Sequence, residues 1–324
     1  MNPPSQTTLS ATASVPAPAT AAPRVSIGLA VRNGALYLQQ AVNSILAQTF
    51  TDFELIICDN ASTDSTEAIC RAYAEQDARV RYWRNPQNIG GANNENLTFT
   101  KARGEYFRWA AHDDVLAPTL LEKCVAVLDS QPDVVLCYTE IIEIDDSNNQ
   151  IKLTNRQKGV AAQPHQRLQE LMYRDHTCEM TYGVIRTDVL RQTRLQQNYT
   201  DSDRTLLCEL ALYGRFHEIE EPLFYKRYHA ANQYLDWRER MTWFKPGSQG
   251  DITFPNWLQF ADMWATVDRG ALSPAERMRC YLVTGRWSLR HSLRMGKEAA
   301  INGYMAVHNR QWRIQKHARV HNWE

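Results

Sequence analysis

Two adjacent carboxylates at the end of a short apolar run are the first residues in this sequence that could do chemistry. Residues 107–111 are apolar and aromatic apart from one arginine, and His112, Asp113 and Asp114 follow directly. Neighbouring aspartates repel each other and are costly to desolvate, so at the end of a buried strand they commonly bind a cation. Hard oxygen ligands suit Mg²⁺ or Mn²⁺. The pattern predicts a divalent-metal site, and a simple N-cap of the helix near Leu120 is the alternative.

The elements that would position these acids are strands that alternate with helices. Apolar, β-branched runs alternate with stretches of helical periodicity, and the runs are residues 25–31, 53–58, 80–84, 106–111 and 134–138. This order predicts a doubly wound, mainly parallel α/β sheet with helices on both faces. Ligands bind beyond the carboxyl ends of such strands. The polar residues that follow the first four runs should therefore lie along one edge, although they are far apart in sequence.

Composition divides the chain into four stretches. Residues 1–23 carry no charge before Arg24 and are rich in Pro, Ala, Ser and Thr, which predicts a disordered leader. Residues 24–145 hold the alternating pattern. Residues 146–245 begin with a polar stretch, 145–163, which is expected to be a loop or boundary, and end after an expected final strand at 222–229. Residues 246–324 are expected to be helical and basic.

Global charge and cysteine content exclude several classes of protein. Lys and Arg total 36 and Asp and Glu total 36, so nothing points to nucleic acid as a partner. Seven cysteines occur without a C-x-x-C pair, which indicates reduced core thiols in a cytoplasmic protein. A secretory signal and an apolar run of about 18 residues, the length that a membrane span needs, are both missing from the sequence.

Three motifs in this order resemble those of the bacterial-type family 2 glycosyltransferases of the GT-A fold. The first strand ends in residues 30–33, Ala-Val-Arg-Asn, and the second leads to residues 58–64, Cys-Asp-Asn-Ala-Ser-Thr-Asp. The fourth ends in His112-Asp113-Asp114, which is similar to the family's Asp-x-Asp metal motif. The resemblance runs from about residue 25 to residue 229.

The resemblance implies a nucleotide-sugar site at this edge. Asp114 would coordinate Mn²⁺ or Mg²⁺, and His229 would contact the metal or the diphosphate. Val31 and Asp59 would hold the base, and Asp113 would lie beside the ribose or the metal. The nucleotide-sugar-binding set implied in full is Val31, Asn33, Asp59, Asn88, Gly90, Asp113 and Arg227. On this basis residues 24–145 would bind the nucleotide sugar and 146–245 the acceptor.

The sequence also departs from the family pattern. His112 replaces the first acid of the metal motif, and Ala30 replaces the usual proline. Glu95 stands where a basic residue often precedes the asparagine that matches Asn96. These differences affect the expected ribose and diphosphate contacts more than the expected fold.

The implied reaction is transfer of a sugar from a nucleotide diphosphate to an acceptor hydroxyl with inversion, which needs a general base. Family members carry that base in an acidic motif that opens a helix ending in glycine. Counting back eleven residues from Gly214 gives Asp203. Asp201 is the alternative base, and a helix N-cap is the alternative role for Asp203.

Three other classes of protein are alternatives. A sugar nucleotidyltransferase should have a long glycine-rich, basic loop after the first strand, and Arg32-Asn33-Gly34 is too short for one. A dinucleotide-dependent oxidoreductase needs a G-x-G-x-x-G stretch, which the sequence lacks. A catalytically silent sugar-nucleotide-binding homologue is favoured by the missing first acid of the metal motif, and a donor hydrolysis assay with Mn²⁺ would identify it.

The expected partners are a nucleotide-diphosphate sugar, with UDP sugars first by family habit, and a glycan or lipid-linked acceptor. Such a reaction fits bacterial surface polysaccharide or glycolipid synthesis. After Ala271 the chain has ten basic and three acidic residues, interleaved with Trp287, Trp312 and Trp323. This composition predicts peripheral contact with the inner face of a membrane. A solvated helical face or a subunit contact is the alternative.

Overall fold

A computed structural model describes residues 22–154, 158–173, 178–229, 237–247 and 253–320 of the 324-residue chain. The predicted leader lies outside the described residues except for residues 22 and 23. The first half alternates strands and helices as the sequence predicts. Its elements are β1 (Val25–Val31), α1 (Leu38–Leu46), β2 (Phe53–Asp59), α2 (Thr66–Gln76), β3 (Val80–Arg84), α3 (Gly91–Thr100), β4 (Tyr106–Ala110), β5 (Val115–Leu116), α4 (Leu120–Ser130) and β6 (Val134–Ile144).

The second half adds three strands and most of the helical mass. Its elements are β7 (Gln150–Thr154), α5 (Pro164–Tyr173), a 3-10 turn (Glu179–Tyr182), β8 (Val184–Arg186), α6 (Thr187–Leu190), α7 (Ser202–Tyr213), β9 (Arg215–Arg227), α8 (Trp237–Phe244), α9 (Pro255–Arg269) and α10 (Pro274–Val320).

The described strands form one sheet in the order β3-β2-β1-β4-β8-β6-β9-β5, and β7 pairs with β6. Strand β1 runs parallel to both β2 and β4, and β2 runs parallel to β3. Strands β1 to β4 therefore end at a common edge, which confirms the predicted α/β class. Because residues 31, 59 and 84 are in register across β1, β2 and β3, the loops that follow these strands start side by side.

The sheet becomes mixed beyond β4. Strands β5, β7 and β8 pair antiparallel with their neighbours, whereas β6 and β9 are parallel to each other. The prediction of a loop over 145–163 is wrong in part, because β7 lies within it. Ile151 and Leu153 of β7 are about half exposed, so backbone pairing with β6 forms this strand, without the burial that a sequence pattern would reveal.

The last predicted strand begins earlier than expected, at Arg215 instead of Pro222. Register shifts between β6 and β9 occur around Glu140, which pairs with Pro222. Proline cannot donate to a ladder and is tolerated at such irregularities. The sequence break at Pro222 therefore marks a bulge within one long strand.

Two layers of helices cover the sheet and enclose its apolar side chains. One buried cluster joins β1 and β2 to α1 and α4 through Val42, Ile45, Leu121 and Cys124. The other joins β4, β6 and β8 to α5, α7, α9 and α10, with Leu206, Leu210 and Trp287 at its centre. The second layer holds α7 against the sheet, and α7 carries the predicted base. The six cysteines of the core are fully buried.

Helix α10 is long and largely polar. Among the described residues, no helix combines the length and the apolar composition required to cross a bilayer. The backbone of α10 is described to Val320, whereas Trp323 lies outside the described residues.

Candidate active site

The loops after β1 and β2 bind each other through side-chain to backbone hydrogen bonds. The Asn33 amide donates to Ser62 Oγ at 2.9 Å, and Asn33 Oδ1 accepts from the Thr63 amide at 2.8 Å. Asn33 and Ala61 both have a positive φ, at 52° and 57°. An asparagine tolerates this conformation better than an alanine does. The strained turn at Ala61 is held in place by the interlocked loops.

Asp59 lies at the end of β2, behind these loops, and is fully buried. One carboxylate oxygen accepts from the Ser62 amide at 2.8 Å and the other from the Tyr82 hydroxyl at 3.0 Å. Arg84 adds an ion pair at 3.4 Å. In this structure Asp59 orients the loop, and burial together with this hydrogen bond raises the pKa of the Tyr82 hydroxyl.

A network of asparagines shapes the loop before α3. Asn60 Nδ2 donates to Asn88 Oδ1 at 2.8 Å, and Asn85 Nδ2 donates to Asn94 Oδ1 at 2.9 Å. Gly90 follows with a φ of 89°, a conformation that favours glycine. A Cβ on Gly90 would lie 2.0 Å from the Phe244 carbonyl oxygen. Gly90 therefore lets α8 approach this edge of the sheet.

The paired aspartates lie between β4 and β5, where β5 pairs with β9. Both side chains are buried. Asp114 Oδ1 accepts from the Arg227 amide at 2.9 Å, and His229 Nε2 lies 3.0 Å from Asp113 Oδ2. His229 is expected from the resemblance to contact the metal or the diphosphate, and the structure has its ring beside Asp113. Burial, followed by the charge of Asp113, raises the pKa of Asp114 to about 8.

Arg227 is buried beside Asp113 and Asp114, and its guanidinium forms hydrogen bonds with other groups of the protein. It donates to the carbonyl oxygens of Asp113 and Asp145, at 3.0 and 2.7 Å, and to the side chains of Gln40 and Asn148. It also stacks on the Tyr37 ring at 4.7 Å. These contacts make Arg227 a brace that ties the end of β9 to the acidic loop and to the turn after β6.

An open cleft of about 530 Å³ lies along this edge of the sheet. It brings together five of the predicted residues, Val31, Asn88, Asp113, Asp114 and Arg227. Asn33, Asp59, Gly90 and His229 are not among the residues that line it. Sequence reasoning did not assign several other residues that line it, namely Arg32, Asn60, Asn94, Tyr182, Lys226 and Trp243. Asn60 lies within the motif at residues 58–64, whereas Trp243 reaches the cleft through packing of α8 that no local pattern shows.

A second cavity of about 300 Å³ adjoins the cleft and contains Asp203, Asp201 and Ser202 at the start of α7. Asp203 Oδ1 accepts from the Arg204 amide at 2.8 Å. Burial, and next the charge of Asp201, raises the pKa of Asp203. A carboxylate with a raised pKa can accept a proton near neutral pH, as a general base must. Asp201 is exposed and has a positive φ of 66°.

Four residues line both cavities, namely Glu95, Tyr182, Lys226 and Trp243. Lys226 Nζ pairs with the buried Glu179 at 2.5 Å. Within the described part of the chain, the Glu95 carboxylate makes no hydrogen bond or ion pair. Burial of the carboxylate, followed by the charge of Asp203, raises the pKa of Glu95 to about 8. The two cavities thus meet at an uncompensated acid.

Glu95→Gln is expected to stabilise the folded protein at pH 8 and to leave its stability at pH 4 unchanged. A raised folded-state pKa means that the unfolded chain releases its proton first, so the wild type loses stability as pH rises from about 4.5 to 8. Glutamine does not titrate. Because Glu95 is partly exposed, we expect a gain of roughly 1 to 3 kcal/mol at pH 8.

Urea unfolding of both proteins at pH 4, 6 and 8 measures this gain. Glu75→Gln, at an exposed position of α2, is the matched control and should show no pH-dependent gain. Equal stability of Glu95→Gln and the wild type at pH 8 would show that Glu95 is well solvated.

The acidic loop offers some of the ligands that a divalent cation needs, and phosphate oxygens and water would supply the others. Among the described residues, no group of three or more His, Cys, Asp and Glu side chains is arranged to hold a metal. Burial and the charge of Asp113 raise the pKa of Asp114 although the Arg227 amide, Lys226 and Arg108 lower it. A cation at this carboxylate would offset both causes. Mg²⁺ and related ions at phosphate-transfer sites take one or two carboxylates and complete their shell with phosphate oxygens and water. Asp114, with Asp113 and His229 next to it, offers such a partial set.

The chain resembles known proteins in family, in sequence and in fold. The family model for glycosyl transferase family 2 matches residues 26–193. An uncharacterised glycosyltransferase of Rickettsia typhi is 35% identical over 127 residues, which are 38% of this chain and 39% of that protein. Another, of Methanocaldococcus jannaschii, is 26% identical over 218 residues, which are 66% of this chain and 73% of that protein. The chain thus spans about two fifths of the length of the first of these relatives.

Two solved structures share the fold. Staphylococcus aureus TarS 1–349 in complex with UDP-GlcNAc has a TM-score of 0.59 at 15% identity. The match covers 83% of this chain and 72% of the TarS chain. The mannosyltransferase PcManGT from Pyrobaculum calidifontis, in complex with GDP-Man and Mn²⁺, has a TM-score of 0.52 at 15% identity. The match covers 94% of this chain and 82% of the PcManGT chain. These likenesses confirm the GT-A type of fold. Because the family model covers just over half of the sequence, the chain belongs to glycosyl transferase family 2.

Proposed function

We propose that this protein transfers a sugar from a nucleotide-diphosphate sugar to an acceptor hydroxyl, with inversion at the anomeric carbon. The observation that carries the proposal is the contact between two cavities. The cleft that contains Asp114 and the cavity that contains Asp203 share one wall, so a donor and an acceptor bound in them would meet. Asp203, Arg227 and His229 lie beyond the region that the family model matches. The roles proposed for Asp203 and Arg227 rest on their places in the cavity walls, and that of His229 on its contact with Asp113.

In the proposed reaction the donor occupies the cleft with its diphosphate toward Asp114. Asn88 and Val31 line the part of the cleft assigned to the nucleotide, and Arg227 fixes the acidic loop from behind. We propose that Asn33 and Asp59 hold the loops after β1 and β2 in place, and that Gly90 leaves room for α8. Mn²⁺ or Mg²⁺ bound at Asp114, with Asp113 and His229 beside it, would neutralise the charge that builds on the departing diphosphate.

Asp203 is the proposed base. It would take the proton from the acceptor hydroxyl while the oxygen attacks the anomeric carbon from the face opposite the diphosphate. Its burial raises its proton affinity, and the adjacent Asp201 does so further. A single base and no second carboxylate assigned as nucleophile favour one displacement, which inverts the configuration.

The proposed donor is a UDP sugar first and a GDP or dTDP sugar next. The structural neighbours bind UDP-GlcNAc and GDP-Man, which supports a nucleotide sugar as the donor class. The proposed acceptor is a glycan or a lipid-linked glycan, as in surface polysaccharide or glycolipid synthesis. Peripheral membrane contact through α10 is also proposed, supported by its basic composition.

A panel of nucleotide sugars tests the donor. Thermal shift with UDP, GDP and dTDP sugars, each with Mn²⁺, should reveal one nucleotide that raises the melting temperature. Transfer to a hydroxyl acceptor with that donor should give a product whose anomeric proton coupling in NMR shows inversion. Retention would overturn the mechanism, and binding without hydrolysis or transfer would favour the silent homologue.

A further inference from the structure

A cavity of about 160 Å³ lies between the start of α7 and the middle of α10 and is lined by basic side chains. We call it the basic cavity. Arg204, Arg290, His291 and Arg294 line it, and Asp201 is the single acid among its lining residues. It lies outside the donor cleft and the cavity of Asp203, and no role assigned above uses it.

Two arginines of α10 that line the basic cavity, Arg290 and Arg294, have no acidic partner among the described residues. Arg286, Arg290 and Arg294 are four residues apart, so they stack along one face of the helix, an arrangement that costs stability through repulsion. Arg290 and Arg294 make no hydrogen bond or ion pair with any described residue. Glu298 is one turn further on, but its carboxylate accepts from the amide and side chain of Asn256, at 3.2 and 2.9 Å.

Part of the wall of the basic cavity is held by internal contacts. His291 Nδ1 lies 2.9 Å from the Trp287 carbonyl oxygen, and the two rings stack with their centroids 4.5 Å apart. Trp287 is buried, and Arg204 donates to the Leu171 carbonyl at 3.2 Å. Burial, and then the charges of Arg294, Arg290 and Arg204, lower the pKa of His291. The arginines therefore create a positive potential inside a partly rigid pocket.

The basic cavity shares a lining residue with the cavity of the proposed base. Asp201 lines it and also lines the cavity of Asp203. Both Asp201 and Arg294 also line a further cavity of about 330 Å³, to which Lys297 contributes. Asp201 therefore belongs to the walls of all three cavities, which places the basic cavity next to the cavity of the proposed base.

We propose that the basic cavity binds a phosphate group, as a phosphomonoester or phosphodiester, carried by the acceptor. This inference rests on the proposed function and specifies its acceptor class. Guanidinium groups form paired, charge-assisted hydrogen bonds with phosphate oxygens. Arg290 and Arg294 suit this role, because they line the basic cavity and are exposed. The phosphate can belong to a soluble glycan phosphate or to a lipid headgroup, since both present the same oxygens.

The test compares three full-length proteins: the wild type, Arg290→Gln/Arg294→Gln, and the control Lys152→Gln/Arg191→Gln. Both variants lose two positive charges at exposed positions, and only the first pair lines the basic cavity. Calorimetry with inorganic phosphate and cosedimentation with phosphatidylglycerol vesicles, at low and high salt, form the two arms. Circular dichroism checks folding, and UDP binding is measured on the same samples.

The inference predicts that the wild type and the control bind phosphate alike and that the cavity variant binds it at least roughly tenfold more weakly. Loss of vesicle binding in the cavity variant alone, without phosphate binding by any protein, would assign the phosphate to a lipid headgroup. Equal effects of both variants in both arms, or no effect in either, would overturn the inference. Absence of UDP binding would contradict the proposed donor instead, independently of the two arms.

Discussion

Asp203→Asn is expected to lower the rate of sugar transfer by roughly 10²- to 10⁴-fold while donor affinity stays unchanged. Asparagine keeps the side-chain oxygen that accepts from the Arg204 amide, so the start of α7 should be preserved. It cannot accept the acceptor proton. Because Asp203 lines the cavity next to the donor cleft and does not line the cleft itself, nucleotide binding should not depend on it.

Single-turnover kinetics and calorimetric titration with the donor separate the two effects. Asp201→Asn is the matched control, since Asp201 is exposed and asparagine tolerates its left-handed backbone. We expect this control to keep most of the transfer rate. A slow Asp201→Asn and an unimpaired Asp203→Asn would transfer the role of base to Asp201.

Asp114→Asn is expected to reduce transfer by roughly 10²-fold or more and to abolish tight binding of Mn²⁺, because a neutral amide is a poor ligand for a hard cation. Asparagine can still accept from the Arg227 amide, and it removes the repulsion between Asp114 and Asp113. The variant should therefore melt at or above the temperature of the wild type. Loss of function together with retained stability would distinguish a ligand from a structural acid.

Mn²⁺ binding is measured by electron paramagnetic resonance, with and without nucleotide diphosphate, which provides a readout besides activity. Glu140→Gln, a buried acid on β6 outside the cleft, is a control for loss of one buried charge. Chelation of the wild type should reproduce the defect, and added Mn²⁺ should reverse it. Full transfer after thorough chelation, or by Asp114→Asn, would contradict the metal site.

Some features of the candidate site can be predicted from the local sequence, and others cannot. Apolar periodicity identified β1 to β4, and parallel pairing then required the residues after them to share an edge. Val31, Asn88, Asp113 and Asp114 meet in the cleft for this reason. The resemblance to the family's acidic motif, counted back from Gly214, singled out Asp203, and the structure has Asp203 in the first turn of α7.

The sequence by itself determined the class of the sheet and the edge at which its acids lie, because both follow from burial patterns within short stretches. Tertiary structure alone decided how the side chains at that edge are used. Arg227 braces the acidic loop, α8 brings Trp243 over the cleft, and β7 forms on exposed residues. Glu95 meets the field of Asp203, more than a hundred residues away in sequence. These outcomes depend on packing and electrostatics between distant segments, which the periodicity of a single segment does not encode.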